Sequence, residues 1–367
     1  MTSHRAIRIA LLALALGGPL LAPGPALGGP RYRLTLAHVI GAGTPIDVAA
    51  HRFADLVRQR TGGEVEISVF PAARLGGERA IIEGVQLGAI EMSFTTTGAM
   101  GAFAPEFHVL DLPYLFPSYE AAYTYLDGEN GTKLLGLLDR RGIHGLVYLE
   151  NGWRNFTSSR NPLKRPEDLK GQKIRVMESP VYMGLIRTLR ATPTPMAYSE
   201  LPRALLQKVI DGQENPAVNI YSARMFESQP FMIQDQHTYN VFVFKVNGKT
   251  WKALPESIQK VIEETAVEVR DFQRKLNREA DGEFIRKLQA KGMHVHVPTA
   301  AEMKAWQAAT APVYEEARRF LGGAWVADTV QFRKDWEAGK YGAEEQRYVE
   351  RFRSIAVPLD DVMRNFR

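Results

Sequence analysis

The sequence has 367 residues, of which 46 are basic and 41 are acidic, so its formal charge at neutral pH is +5. This mild excess favours an anionic small molecule over nucleic acid, because proteins that bind nucleic acid concentrate basic residues on one face and no such run is present. The absence of cysteine excludes disulfides, thiolate catalysis, iron–sulfur clusters, cysteine-containing zinc sites and lipid attachment through cysteine.

The first 28 residues are expected to be a targeting segment that is removed after export. Arg5 and Arg8 precede the apolar run IALLALAL, and the small residues Ala26 and Gly28 are typical of a cleavage site. The run is too short for a membrane-spanning helix, which needs about 20 residues. We therefore expect a protein of the bacterial periplasm without membrane insertion, in which the loss of the two arginines leaves 44 basic and 41 acidic residues.

The first half of the remaining chain alternates between strand and helix. About 340 residues remain, which is longer than a usual single domain and favours two domains. The patterns predict strands at RYRLTLAHV, EVEISVF and IHGLVYLENG. Between them they predict the helix PIDVAAHRFADLVRQRTGG, the helix leading into a strand ERAIIEGVQLGAIEMSFTTT, and the broken helix EAAYTYLDGENGTKLLGLLDRRG. This alternation predicts parallel strands with helices on both faces.

The alternation repeats after Asn151. We predict the strand GQKIRV, the helix PVYMGLIRTLRA, the extended segment TPTPMA, the helix SELPRALLQKVIDG capped by Ser199 with Pro202 in its first turn, and the strand HTYNVFVFKVN. A helix from about Pro255 to Lys291 is long enough to connect two lobes. The strand MHVHVP, one helix around AAEMKAWQAATAPVYEEARRFL, and a helical tail after Gly322 complete the prediction.

Signatures of catalysis and of cofactor binding are missing from the sequence. It has no GxSxG, HExxH, P-loop or dinucleotide-binding motif. His294 and His296 share one face of a predicted strand, but no third metal ligand lies near them in the sequence. We therefore expect no enzymatic activity, no cofactor and no metal site.

Three polar residues lie at predicted strand ends or turns, where open parallel sheets bind ligands. Arg154 directly follows the strand IHGLVYLE, Arg175 lies in the strand KIRV, and Asn215 lies in a turn after a helix, closed by Pro216. A guanidinium offers two parallel N–H donors to a carboxylate, so two arginines and an amide suit an organic acid. The alternatives are a solvated Arg175, an Arg154 at a surface strand end and a turn-forming Asn215.

The motifs LGGERAIIEGVQLGAIEMSF, LPYLF, NGWRNFTS, PEDLKGQKIRV, TPTPMAYSEL and VIDGQENP occur in this order over roughly Leu34 to Met303. This succession resembles the periplasmic solute-binding proteins of TRAP transporters, the DctP-like family. The resemblance implies an α/β clamshell of two lobes with a hinge, two crossing strands and a long helix that spans both lobes. It also implies that Arg175 makes the main salt bridge to the ligand carboxylate and that Arg154 and Asn215 support it.

The resemblance also suggests domain bounds and partners. We expect lobe I at residues 31–151 plus 241–280, lobe II at residues 152–240 plus 281–320, and a helical tail at residues 321–367 that packs on the lobes. The expected partners are a small carboxylate ligand and the subunits of the TRAP membrane permease, without nucleic acid. We expect a monomer, with a dimer through the C-terminal helices as the alternative.

The ligand is less defined by the sequence. Members of this family that bind sialic acid carry an acidic residue and an arginine where this chain has SFTTTGAM, which argues against sialic acid. The NGWR form, with an aromatic residue before the arginine, resembles members that take C4-dicarboxylates or other small organic acids, so we predict a ligand of that kind. A 2-oxo acid, an aromatic acid and a sugar acid remain alternatives, as does service to a sensor kinase rather than a permease. Further ligand contacts are predicted from Thr96, Thr97, Tyr198 and His38, although His38 at a strand end can instead satisfy backbone groups.

Overall fold

The computed structural model describes residues 29–366, and the expected targeting segment lies outside these described residues. Within this range no helix has the length and apolar character that a membrane crossing requires. The strands are β1 (Tyr32–Ala37), β2 (Val65–Phe70), β3 (Met92–Thr96), β4 (Ile143–Ser158), β5 (Lys173–Val176), β6 (Thr192–Pro195), β7 (Gly212–Asn215), β8 (Phe231–Ile233), β9 (Thr238–Asn247) and β10 (His294–His296).

The helices cover the faces of the sheets and form the C-terminal part of the chain. They are α1 (Pro45–Arg60), α2 (Glu78–Leu87), α3 (Thr97–Met100), α4 (Tyr119–Asp127), α5 (Glu129–Gly136), α6 (Pro180–Thr188), α7 (Leu201–Leu206), α8 (Ala217–Ser222), α9 (Gly248–Ala253), α10 (Glu256–Ala290), α11 (Ala300–Thr310), α12 (Pro312–Leu321), α13 (Gly323–Glu337), α14 (Gly342–Arg353) and α15 (Leu359–Arg364).

The strands form two lobes that share β4. In the first lobe the order is β2-β1-β3-β9-β4, and in the second β4 is followed by β7-β5-β6, with β8 and β10 beside it. The pairs β1–β2, β1–β3, β5–β6 and β5–β7 are parallel, as the alternating pattern predicts. The prediction of parallel strands is wrong for β4 and β9, which pair antiparallel because one leaves the first lobe and the other returns to it.

Strand β4 is longer than the sequence predicts. It pairs with β9 as far as Arg154 and continues by pairing Asn155–Ser158 with β7. A β-bulge lies between Glu150 and Gly152, and Gly152 has a φ of +112°, a conformation that side chains rarely tolerate. The bulge explains why Asn151-Gly152 resembles the end of a strand. The prediction that Arg154 follows the strand is wrong, because Arg154 lies within β4.

The segment around Asn215 also differs from the prediction. Asn215 is the last residue of β7 rather than part of a turn that follows a helix, because α7 ends early, at Leu206. The strand has the sequence GQEN, which lacks the β-branched and aromatic residues typical of strands, and its polar side chains are buried in hydrogen bonds instead. Ser199 is not the cap of α7, because it lies in a 3₁₀ turn at Tyr198–Glu200 that precedes the helix.

Helix α10 confirms the prediction of one long helix along both lobes. It packs on α1 and β4 on one side and on α8 and β10 on the other. Its buried residues Ile262 and Val269 belong to the core of the first lobe, whereas Phe284 and Leu288 belong to the core of the second. The single helix predicted after it is in fact two, α11 and α12, because Pro312 cannot continue the hydrogen-bond pattern of a helix.

The last described residues lie across the two lobes, and we call residues 355–366, which include α15, the C-terminal clasp. Val362 is 1% exposed and packs against α10 at Phe272 and Leu276. Next to it, Asn365 lies against Gly43, in the loop after β1 of the first lobe. The backbone oxygen of Phe366 accepts a hydrogen bond of 3.0 Å from the Tyr221 hydroxyl of α8 in the second lobe.

Candidate ligand-binding site

One cavity between the lobes collects most of the residues that the sequence predicts for the ligand. Arg175, Arg154, Asn215, Tyr198 and Thr96 all line it. Its volume is about 10 Å³, enough for one water molecule, so the lobes are closed on each other. The other lining residues are Val39, Ile40, Glu78, Asn151, Met177 and Asn219.

Arg175 is a buried cation without a carboxylate partner among the described residues. It lies in β5 between β6 and β7 and is 2% exposed. Its Nε and Nη2 both donate to the backbone oxygen of Met196, at 3.0 and 2.7 Å, and Nη1 contacts no hydrogen-bond acceptor in the described part of the chain. Burial lowers its pKa to about 10, because the protein replaces little of the water that would stabilise the charge. The solvated alternative for Arg175 is therefore excluded.

Arg154 is equally buried, but Glu214 compensates its charge. The Arg154 Nη2 donates to Glu214 Oε1 at 2.8 Å, and its Nε donates to Oε2 of the same carboxylate. Burial disfavours the charge of Arg154, but the Glu214 carboxylate raises the arginine pKa above its ordinary value. The bidentate contact fixes the plane of the guanidinium, so Arg154 is held in one orientation in the wall of the cavity.

A buried histidine extends this ion pair away from the cavity. His237 Nε2 lies 3.2 Å from Glu214 Oε2, and its Nδ1 lies 2.8 Å from Asp235 Oδ2. Burial disfavours the charged imidazole, but Asp235 and Glu214 raise the His237 pKa to about 9. At neutral pH the cluster therefore contains two cations and two carboxylates and is balanced in charge. Sequence reasoning did not find this cluster, because its members come from β4, β7 and the approach to β9.

A chain of amides connects the cavity to the crossing strands. Asn219 Nδ2 donates to Asn151 Oδ1 at 3.0 Å, and Asn151 Nδ2 donates to Asn240 Oδ1 at 2.7 Å. Asn215 Nδ2 donates to Gln213 Oε1 at 2.6 Å. Asn219 Oδ1 accepts no hydrogen bond from any described residue, so an acceptor is free at the cavity. Sequence reasoning missed Asn219, although its position four residues after Asn215 at the start of α8 is a detectable signal.

Glu78 is the second residue that sequence reasoning missed. Its Oε1 accepts from the backbone N–H of Thr96 at 2.6 Å, and its Oε2 accepts from the Thr96 hydroxyl at 2.8 Å. Burial raises the Glu78 pKa, whereas Thr96 and the positive charges of Lys245 and Arg175 oppose this rise. Lys245 is itself fully buried, donates to Thr95 Oγ1 at 2.5 Å, and has its pKa lowered by burial to about 7.

The remaining predicted residues lie near the cavity or behind it. Tyr198 donates its hydroxyl to the backbone oxygen of Asn219 at 3.3 Å. Thr97 and His38 do not line the cavity. Thr97 Oγ1 donates to Asp111 Oδ1 at 2.6 Å, and His38 Nε2 lies 3.2 Å from Asp47 Oδ1, with both residues of the second pair buried. His296, at the other end of the second lobe, lies 3.1 Å from Glu302 Oε2.

Comparison with known proteins assigns the chain to a family. The family described as bacterial extracellular solute-binding protein, family 7 (DctP), matches residues 36–319. The chain belongs to this family. Among its DctP-family relatives, the C4-dicarboxylate-binding periplasmic protein DctP of Rhodobacter capsulatus is 33% identical over 83% of this chain and 91% of that protein.

Solved structures of DctP-family proteins have the same two-lobed fold. The sugar acid binding protein DctPAm from Advenella mimigardefordensis, in complex with galactonate, superposes with a TM-score of 0.81 at 31% identity, over 84% of this chain and 99% of that one. A TRAP periplasmic solute-binding protein from Shewanella oneidensis with bound succinate has a TM-score of 0.80 at 31% identity, over 83% and 100%. The clamshell and the long helix predicted from the sequence are confirmed, and the protein is a TRAP solute receptor.

Proposed function

We propose that the cavity between the lobes binds a small organic acid and that Arg175 holds its carboxylate. The observation that carries the proposal is a buried guanidinium whose only hydrogen bonds, within the described residues, go to the Met196 carbonyl. Glu214 and Glu78 act on Arg175 only from a distance. A buried cation with no carboxylate in direct contact is costly, and an anionic ligand would supply that contact. The same receptor would then release its ligand to the membrane subunits of a TRAP permease.

The other lining residues have supporting roles in this proposal. Arg154, held by Glu214, presents Nη1, which contacts no acceptor among the described residues, to the second carboxylate oxygen. Asn215, Tyr198 and Thr96 border the same cavity and orient the rest of the ligand. Thr97 anchors the wall from behind through Asp111, and His38 fixes the loop that carries Val39 and Ile40 through Asp47.

Lobe closure explains how binding is communicated without any bond being made or broken. The cavity takes side chains from the first lobe, such as Thr96, and from the second lobe, such as Arg175. A ligand that contacts both lobes has a higher affinity for the closed arrangement and shifts the population toward it. We place this receptor in the periplasm as a monomer, with residues 1–28 removed as a signal peptide.

Calorimetry with the Arg175→Ala variant tests the proposal. A panel of organic acids first identifies a ligand for the purified protein after any co-purified ligand has been stripped. Truncating one partner of a buried charge pair costs about 2–5 kcal/mol, so the variant is expected to lose roughly 30-fold to several thousand-fold in affinity. Arg175→Lys is expected to recover little of the lost affinity, because an ammonium cannot make two parallel hydrogen bonds to a carboxylate.

The matched control is Arg203→Ala. Arg203 is an exposed arginine on α7 of the same lobe, so its removal is expected to leave binding unchanged. A melting curve shows whether each variant is folded before binding is measured. Unchanged affinity in a folded Arg175→Ala variant would contradict the proposal, as would full recovery in Arg175→Lys.

A further inference from the structure

We propose that the ligand is a monocarboxylic acid that carries hydroxyl groups, such as a sugar acid, rather than a dicarboxylic acid, and that Glu78 selects it. This inference rests on the proposed function, because it takes the carboxylate to be held by Arg175. It goes further by assigning the opposite end of the ligand. The argument comes from the charges and from the hydrogen-bonding groups that border the cavity.

The charges at the cavity favour one negative group on the ligand. Two arginines line the cavity, and the charge of Arg154 is already matched by Glu214. Arg175 is therefore the one lining cation, among the described residues, that a ligand carboxylate would neutralise. The third charged residue in the lining is Glu78, a carboxylate on the other lobe. A second ligand carboxylate would thus find no uncompensated cation and would meet a like charge.

The hydrogen-bonding groups at the cavity favour hydroxyl groups on the part of the ligand that does not carry the carboxylate. Glu78 receives two hydrogen bonds from Thr96, and each carboxylate oxygen can accept a further one. Asn219 Oδ1 is a second free acceptor, as far as the described residues show. A carboxylate is itself only an acceptor and cannot bond to either group, whereas a hydroxyl donates to them.

The surroundings of Glu78 keep it in place as an acceptor. Thr96 supplies both a backbone and a side-chain donor, so the carboxylate cannot rotate without losing two hydrogen bonds. Lys245 is buried on β9 and attracts Glu78 electrostatically from the interior of the first lobe. Because Lys245 does not line the cavity, it stabilises Glu78 without offering its ammonium to a second carboxylate.

The test compares two ligand classes on the wild-type protein and on two variants. The hydroxylated monocarboxylates are erythronate, galactonate and glucuronate, and the dicarboxylates are succinate and malate. Wild type is expected to bind at least one hydroxylated monocarboxylate about 100-fold more tightly than either dicarboxylate. Glu78→Gln keeps the shape of the side chain but removes its charge. It is expected to lower the affinity for that ligand at least tenfold and to reduce the ratio between the affinities for the two ligand classes.

The control variant is Glu83→Gln, an exposed carboxylate on the same helix that pairs with Arg79. It is expected to leave both affinities and their ratio unchanged. Tighter binding of succinate or malate by wild type would overturn the selection of hydroxylated acids, and an unchanged ratio in Glu78→Gln would overturn the role of Glu78. These outcomes differ from a failure of the proposed function, which would appear as no binding of either class to the folded protein.

Discussion

Arg175 and Arg154 are both buried in one cavity, but their neighbours give them different tasks. Arg154 has a carboxylate on one side and the ring of Tyr182 at 5.4 Å on the other. Within residues 29–366, the hydrogen bonds of Arg175 go only to a carbonyl oxygen. A carboxylate supplied by the protein holds an arginine side chain in one orientation. An arginine without such a carboxylate keeps an unfavourable desolvation energy, which an anionic ligand can offset when it binds. In the proposed site the first arginine would therefore shape the cavity and the second would provide the affinity for the carboxylate.

His237 predicts a specific pH dependence of stability. Its pKa is raised from 6.5 to about 9 in the folded protein, so its stabilising charge is fully present below pH 6.5 and is lost as the pH rises through 9. In His237→Gln the loss of unfolding free energy is therefore expected to be greater at about pH 6 than at about pH 9.5. The shift corresponds to roughly 3 kcal/mol of pH-dependent difference.

Urea unfolding of both proteins at the two pH values measures this difference. Only the difference between wild type and variant is informative, because Lys245, with a pKa lowered to about 7, changes stability with pH in the opposite sense. His294→Gln is the matched control, since His294 is an exposed histidine on β10. A destabilisation by His237→Gln that is equal at both pH values would show that the imidazole is not charged in the fold.

The sequence allowed several individual polar residues of the cavity to be predicted, but not the contacts between them. Arg175 could be found because it interrupts a short strand, Arg154 because it follows the predicted strand IHGLVYLE, and Asn215 because it precedes Pro216. Glu78 was not distinguishable from other polar residues at helix starts, and Asn219 was marked only by its position four residues after Asn215. Glu78 contacts Thr96, and Asn219 contacts Asn151, only in the folded chain. The same is true of the contact between Glu214 and His237.

The two crossing strands carry the chain of amides that connects them to the cavity between the lobes. Asn151 lies at the bulge in β4, and its partner Asn240 lies opposite in β9. The sequence predicted β9 correctly from its β-branched and aromatic residues, but it predicted β4 too short. A pattern in one sequence indicates a strand but not the strand it pairs with. The bulge at Gly152, just before β4 exchanges β9 for β7, therefore resembles the end of a strand.

The C-terminal clasp is expected to strengthen the closed arrangement. Residues 355–366 lie outside the part of the chain that matches the family, and they contact Gly43 of one lobe and Tyr221 of the other. Deleting residues 355–367 removes the buried Val362 and the ring contacts of Phe366, with an expected loss of about 2–4 kcal/mol in stability. We also expect several-fold weaker ligand binding, because contacts that span both lobes favour closure.

Thermal melting and calorimetry of the deletion variant measure both effects. Arg364→Ala is the matched control, because Arg364 is a half-exposed residue of the same helix whose one ion pair, in the described part of the chain, is with Asp361 one turn earlier. This control is expected to behave as wild type. A deletion variant with unchanged affinity would show that the clasp stabilises the chain without favouring closure.

For the whole molecule, the small cavity implies that a ligand enters only when the lobes separate. The free protein in solution is therefore expected to populate more open arrangements than this one, and ligand to reduce its radius of gyration in small-angle scattering. Ligand at 100 times its dissociation constant is expected to add about 2.7 kcal/mol of stability. At the same ligand concentration, Arg175→Ala is expected to show neither the smaller radius of gyration nor the added stability. If ligand made this variant equally compact, lobe closure would not depend on carboxylate binding by Arg175.

The return of β9 to the first lobe also determines when this protein can fold. The hydrogen-bonded side chains of Thr95 and Lys245 are neighbours in the sheet but lie 150 residues apart in the chain. Between them the chain forms most of the second lobe, so the first sheet stays incomplete while that lobe is being synthesised. Neither lobe can be made as one contiguous fragment, and such non-local pairing slows folding.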